Sequence, residues 1–129
     1  MPEVIQPAGW PRPAGYAHGV LAAGRVLAIA GQIGAGPDGR LAEGGLVAQV
    51  DRALDNVAEI VGAAGGRMVD LVSMTIYVVD RGAYLAARAA LGEVWRRRVG
   101  HYPALTLVEV RALVDEGALV EISALAVLP

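Results

Sequence analysis

Between Leu46 and Ala64 the apolar residues Leu46, Val47, Val50, Leu54, Val57, Ile60, Val61 and Ala64 return every third or fourth position, with Asp51, Asp55 and Glu59 on the other side. That period predicts an amphipathic helix. Gly65-Gly66 follows, and a residue free to take positive φ can close the last turn. The stretch LVSMTIYVV (71–79) is β-branched and apolar, too short for a helix and bounded by Asp70 and Asp80, so it predicts a buried strand. A second helix is expected from about Arg81 to Val99, with Asp80 as its N-cap. Two apolar runs in AHGVLAAGRVLAIAGQI, split at Ala23-Gly24-Arg25, predict a hairpin. Two more strands lie in YPALTLVEVRALVDEGALVEISALAV (102–127), broken at Asp115-Glu116-Gly117. Four prolines before residue 14 keep the opening stretch extended. The order β-β-α-β-α-β-β predicts an α+β fold, a mixed sheet with two helices packed on one face.

Alternation gives the strand faces, because residues i and i+2 point to the same side. Leu119, Glu121 and Ser123 share one face; Val120, Ile122, Ala124 and Ala126 share the other. Glu121 therefore need not lie in the main core; it is expected either on a solvated face or on a face covered by another subunit. The second case desolvates the carboxyl and suits it to general acid/base work. Glu109 sits between Leu107 and Arg111 on its own face, and a structural or ion-paired role fits it better. In the second helix Tyr84, Leu91 and Trp95 form a stripe with Arg88 at its centre. Either the stem of Arg88 packs while its charge snorkels to the edge, or the guanidinium enters a cleft and forks onto a carboxylate.

A chain of 129 residues suits one domain, 1–129, and leaves no room for a second core. Hydrophobic residues make up 55%, yet no run reaches the roughly 18 residues of a membrane span. Such an apolar chain is expected to bury surface against copies of itself, the alternative being an apolar soluble monomer. Cysteine is absent and all 11 basic residues are arginine, which excludes thiolate, Schiff-base lysine and P-loop chemistry. A net charge of −2 argues against a nucleic-acid surface. The local cluster Trp95 to Arg98 reads as a helix C-terminus complementing its dipole. Nothing in the first 16 residues resembles an export signal, so a cytoplasmic location is expected. The G-x-G-x-x-G match at 34–39 is turn chemistry, because Pro37-Asp38-Gly39 leads into no helix. His18 and His101 lack metal-ligand spacing, and Ser73 and Ser123 lack a nucleophile elbow, so no metal and no acyl-enzyme are expected.

The stretches AGYAHGV (14–20), IAGQIG (29–34), QVDRALDNVAEIVGAAGG (49–66), MTIYVVD (74–80), YPALTLVEV (102–110) and GALVEISALAV (117–127) together resemble the RidA (YjgF) family of enamine/imine deaminases over nearly the whole chain. The resemblance implies a chorismate-mutase-like fold and a homotrimer with a small-molecule cleft at each subunit interface, covering the face of Glu121. It implies hydrolysis of reactive enamines and imines without cofactor, with Glu121 of the "VEI" motif moving protons. Tyr16 and the main chain at Gly31 would help form the cleft, with Arg88, Leu105 and Leu107 as further ligand-binding positions. One departure stands out: the family's "P-A-R" arginine, which grips the substrate carboxylate, is replaced in Pro103-Ala104-Leu105. A second is Arg88, where the family usually has asparagine. Two readings follow. Either the chain is a deaminase with altered substrate, anchored by Arg88 or selecting an apolar ligand through Leu105, or it is a non-catalytic small-ligand-binding member. The RNA cleavage sometimes attached to the family finds no cationic surface or paired histidines to support it.

Overall fold

The computed structural model describes residues 2–129. The periodic segment forms α1 (Gly45–Ala63), whose apolar stripe of Val50, Ala53, Leu54, Val57 and Val61 is buried. Gly65 ends it at φ +86, and the amide of Gly66 reaches back to the carbonyl of Val61, the capping expected at the double glycine. Three strands carry the central sheet around it: β3 (Arg25–Ile33), β4 (Leu71–Val78) and β6 (Val120–Leu128). With β5 (Ala104–Glu109) they stand in the order β3-β6-β4-β5. β3 and β4 pair antiparallel with β6, whereas β4 and β5 run parallel, so the sheet is mixed. A parallel pair needs a long crossover. The second helical region supplies it.

That region is α2 (Arg81–Ala86) and α3 (Arg88–Arg98), two helices rather than the one expected, interrupted at Ala87 where φ is −97° and ψ is 9°. Asp80 caps α2, its Oδ1 accepting from the Ala83 amide at 2.9 Å. Both long helices, α1 and α3, cover the same side of the sheet. Their buried residues share one cluster with Leu71, Met74, Ile76 and Val78 of β4 and Val120, Ile122, Ala124 and Ala126 of β6. The face partition read from alternation in β6 holds in the folded chain.

The expected hairpin does not form. β2 (Gly19–Leu21) pairs with β1 (Glu3–Ile5), and β3 pairs with β6. Gly24, at φ +147°, lies against the carbonyl of Leu128 so closely that a side chain has no room, and this approach directs β3 onto β6. A tight turn between β2 and β3 would point the chain elsewhere.

Candidate functional site

A cavity of about 470 Å3 lies on the helix side of the sheet, between β5 and the α2–α3 region. Four residues singled out by sequence line it: Tyr16, Arg88, Leu105 and Leu107. The parallel register places Leu105 opposite Met74 and Leu107 opposite Ile76, so both β5 leucines face the same way as these core residues. The facing wall comes from Tyr84 of α2 and from Arg88, Leu91 and Trp95 of α3, all at the cavity. Tyr16 is brought in by its neighbour: Ala17 bridges to Ala104, and its amide donates to the Pro103 carbonyl at 3.0 Å. His18 holds the same loop by edge-to-face contact with Trp10 and Tyr16, at centroid distances of 5.0 and 5.5 Å.

The walls are mainly apolar and aromatic, and Arg88 is the only charged side chain among the lining residues. Three other arginines of α1 and α3 are ion-paired, sharing two aspartates. Arg52 pairs with Asp55, Arg97 with Asp51, and Arg98 with both aspartates at 2.7 and 3.0 Å. Among the described residues Arg88 has no ion-pair partner. Burial pushes the Tyr84 phenol up from its ordinary value, which keeps it neutral and able to donate. Trp95 spends its indole N–H on the carbonyl of His101 at 2.9 Å, so its ring serves as wall.

Glu121 and Gly31 are elsewhere in the single chain. Glu121 pairs across with Tyr77 and Ile33, whereas the cavity-lining Ile76 pairs with Ile122. Alternation therefore sets Glu121 on the sheet face opposite the cavity. There its carboxyl rests on Gly31: a Cβ built at Gly31 would lie 2.7 Å from Cδ and 2.8 Å from Oε1 of Glu121. The irregularity in β3 between Ile29 and Gln32 falls at this glycine. The face around Glu121 is uncovered and partly apolar, with Val26 69% and Leu125 42% exposed.

Glu109, the other strand glutamate, accepts from the Arg81 amide at 2.9 Å, where its negative charge meets the start of α2. It belongs to the framework. The arginines of the WRRR cluster occupy the last turn of α3 as expected, and two of them tie it to α1. His101 has a ring nitrogen 3.0 Å from the Leu71 carbonyl, a structural contact below α3. Tyr102 and Gly15 also line the cavity, and no pattern in the sequence pointed to either. Gln49 was missed too. It is 4% exposed, donates to the Gly117 carbonyl at 3.1 Å and accepts from the Leu119 amide at 2.8 Å, clipping the start of β6 to α1. A single glutamine in an amphipathic stripe carries no signal of such a role.

A family model described as endoribonuclease L-PSP matches residues 11–128. A RutC family protein of Pyrococcus horikoshii is 34% identical over 128 residues, covering 98% of each chain. A 2-iminobutanoate/2-iminopropanoate deaminase of Capra hircus is 34% identical over 114 residues, covering 87% of this chain and 79% of the relative. Among solved structures, a protein of unknown function of the conserved Rid family, YyfB from Yersinia pestis, superposes with a TM-score of 0.86 at 34% identity, covering 98% of both chains.

Proposed function

The chain belongs to the RidA/YjgF (L-PSP) family, and from that premise we propose that it hydrolyses enamines and imines of small metabolites in a cleft shared between subunits of a homotrimer. The observation that carries the reading is the division of the candidate site between two sheet faces. Tyr16, Arg88, Leu105 and Leu107 line a cavity on one side, while Glu121 and Gly31 lie on the other. A cavity of one subunit set against the Glu121 face of the next unites them. The exposed apolar residues Val26 and Leu125 on that face are consistent with such a contact.

The reaction follows from a single proton carrier. With 2-aminoacrylate, the Glu121 carboxyl protonates the methylene carbon, which becomes the methyl group of the 2-imine. The resulting carboxylate takes a proton from water as its oxygen adds to the imine carbon. Glu121 then returns that proton to nitrogen, the C–N bond breaks, and the carbinolamine oxygen passes its proton to the Glu121 carboxylate, which forms the ketone and restores the acid. Water is consumed, and ammonia and the 2-keto acid leave. Each transfer lies within the reach of general acid/base catalysis, worth about 10²–10⁴ in rate.

Leu105 separates this chain from a general 2-imino acid deaminase. The Pro103-Ala104-Leu105 segment places a leucine where the family resemblance implies a carboxylate-gripping arginine, and loss of a charge-assisted contact costs roughly two decades in affinity. The same leucine favours the second reading, a ligand-binding protein without turnover. Ammonia release from freshly generated 2-aminoacrylate tests both, using wild type, Glu121→Ala and Leu105→Arg. The expected result is slow wild-type turnover, a loss of about a hundredfold or more in Glu121→Ala, and faster turnover in Leu105→Arg. Wild-type activity equal to that of Glu121→Ala removes the catalytic reading and leaves the binding one.

A further inference from the structure

The charge pattern of the cavity names a ligand class. Resting on the reading of the cavity as the ligand site, we propose that it takes carboxylates bearing an aromatic or large apolar body, with the acid group on Arg88 and the body against Tyr84, Trp95, Leu105 and Leu107.

Four observations support this. First, Arg88 is the only charge on a wall that is otherwise apolar and aromatic, and no carboxylate among the described residues pairs with it. Arg88 is exposed in the single chain, and an unpaired guanidinium at the rim of such a wall matches an anion whose remainder is apolar. Second, it opens α3, whose first turn holds no acidic residue, so nothing from that turn competes for its charge. Third, the cavity of the single chain, about 470 Å3, lies within the range of pockets that take ring-bearing ligands. Fourth, the polarity of the cavity has a direction. Leu105 and Leu107 stand side by side on β5 and offer no donor to an acid group, which leaves Arg88 on the facing helix as its anchor. The neutral Tyr84 phenol, on α2 just before the break at Ala87, lines the same cavity and is a second donor there.

Calorimetric titration of the full-length protein with 3-phenylpropanoate, propanoate and 3-phenylpropanamide separates the contributions. The expected order has 3-phenylpropanoate binding at least about tenfold more tightly than either of the others, since it alone has both ring and charge. Arg88→Gln should lower its affinity by about ten- to a hundredfold, to the level of the amide. The affinity of the amide should not change, which reports an intact cavity. Arg88→Lys, keeping the charge without the planar fork, should fall between. Equal binding of propanoate and 3-phenylpropanoate, or unchanged binding in Arg88→Gln, overturns the assignment. The two levels fail separately. Ring-dependent binding through Arg88 without ammonia release from any enamine upholds this ligand class and removes catalysis. Deamination of 2-aminoacrylate with no preference for the ring and no role for Arg88 does the reverse.

Discussion

Gly31 and Glu121 touch through a contact that only a missing side chain permits. A methyl group at position 31 would meet the end of the Glu121 side chain, at 2.7 Å from Cδ. The obstructing atoms belong to a flexible carboxyl, which can swing away at little cost to packing. Position 31 has no positive φ to penalise alanine. Gly31→Ala should therefore melt within a few degrees of wild type yet lose about tenfold or more in ammonia release, as a small displacement of a proton-transfer group costs. Parallel melting curves and turnover assays check this; unchanged turnover would separate Glu121 from the chemistry. Gly34 makes the contrast. Its Cβ would lie 2.5 Å from backbone atoms of Gln49 in α1, which cannot yield in the same way.

The α1–α3 pair is held at its polar edge by the ion pairs of Asp51 and Asp55 with Arg97 and Arg98. The hydrogen bond from Arg98 is the main cause holding the Asp51 carboxyl below its ordinary value of 3.8, with Arg97 adding to it against partial burial. A carboxyl depressed in the folded state contributes stability that is fully present above its unfolded value and lost as pH falls through the folded one. The melting temperature should thus decline as pH is taken below about 4. In Asp51→Asn that part of the decline should be missing, while stability at neutral pH is lower by about 1 kcal/mol or less, as befits a partly solvated pair. Melting curves from pH 7 to pH 3 for both proteins measure the difference; parallel curves would count against the linkage. The same helix pair frames the cavity, because Arg88 begins α3 directly after the interruption at Ala87. Gln49, two residues before Asp51, secures α1 to the start of β6, and so fixes the strand that carries Glu121.

At the scale of the molecule the decisive fact is that one chain holds the two parts of its candidate site on opposite faces of a four-stranded sheet. On the proposed function, assembly is a requirement of the chemistry as well as a way to cover apolar surface. Sedimentation should give a trimer of the 13.3 kDa chain. Leu125→Arg, placing a charge on the exposed sheet face, should shift it toward monomer and abolish turnover, while the fold, judged by circular dichroism, persists. A monomeric wild type with full activity would refute the shared cleft.

Much of this was legible without coordinates where a local pattern forces the outcome. The three- and four-residue period of α1, the double glycine after it, the cap at Asp80 and the alternation that separates Glu121 from Ile122 depend on backbone geometry and solvent, and they hold in the fold. The stripe containing Arg88 was readable in part: helical spacing aligns Arg88, Leu91 and Trp95 on α3, whereas Tyr84 reaches the same cavity from α2 across the break at Ala87. Strand partners were not. β2 and β3 are adjacent in the chain and look like a hairpin, but pairing depends on which distant edges are free and on the close approach of Gly24 to Leu128. Gln49 likewise gained its role only when Gly117 and Leu119 came within hydrogen-bond reach. By itself, then, the sequence determined the long elements and their buried faces, though not strand β1 or the break at Ala87, because periodicity acts over a few residues. Only the tertiary structure decided that Arg88, Leu105, Leu107 and Tyr16 share a cavity from which the sheet separates Glu121, because that depends on contacts between residues far apart in the chain.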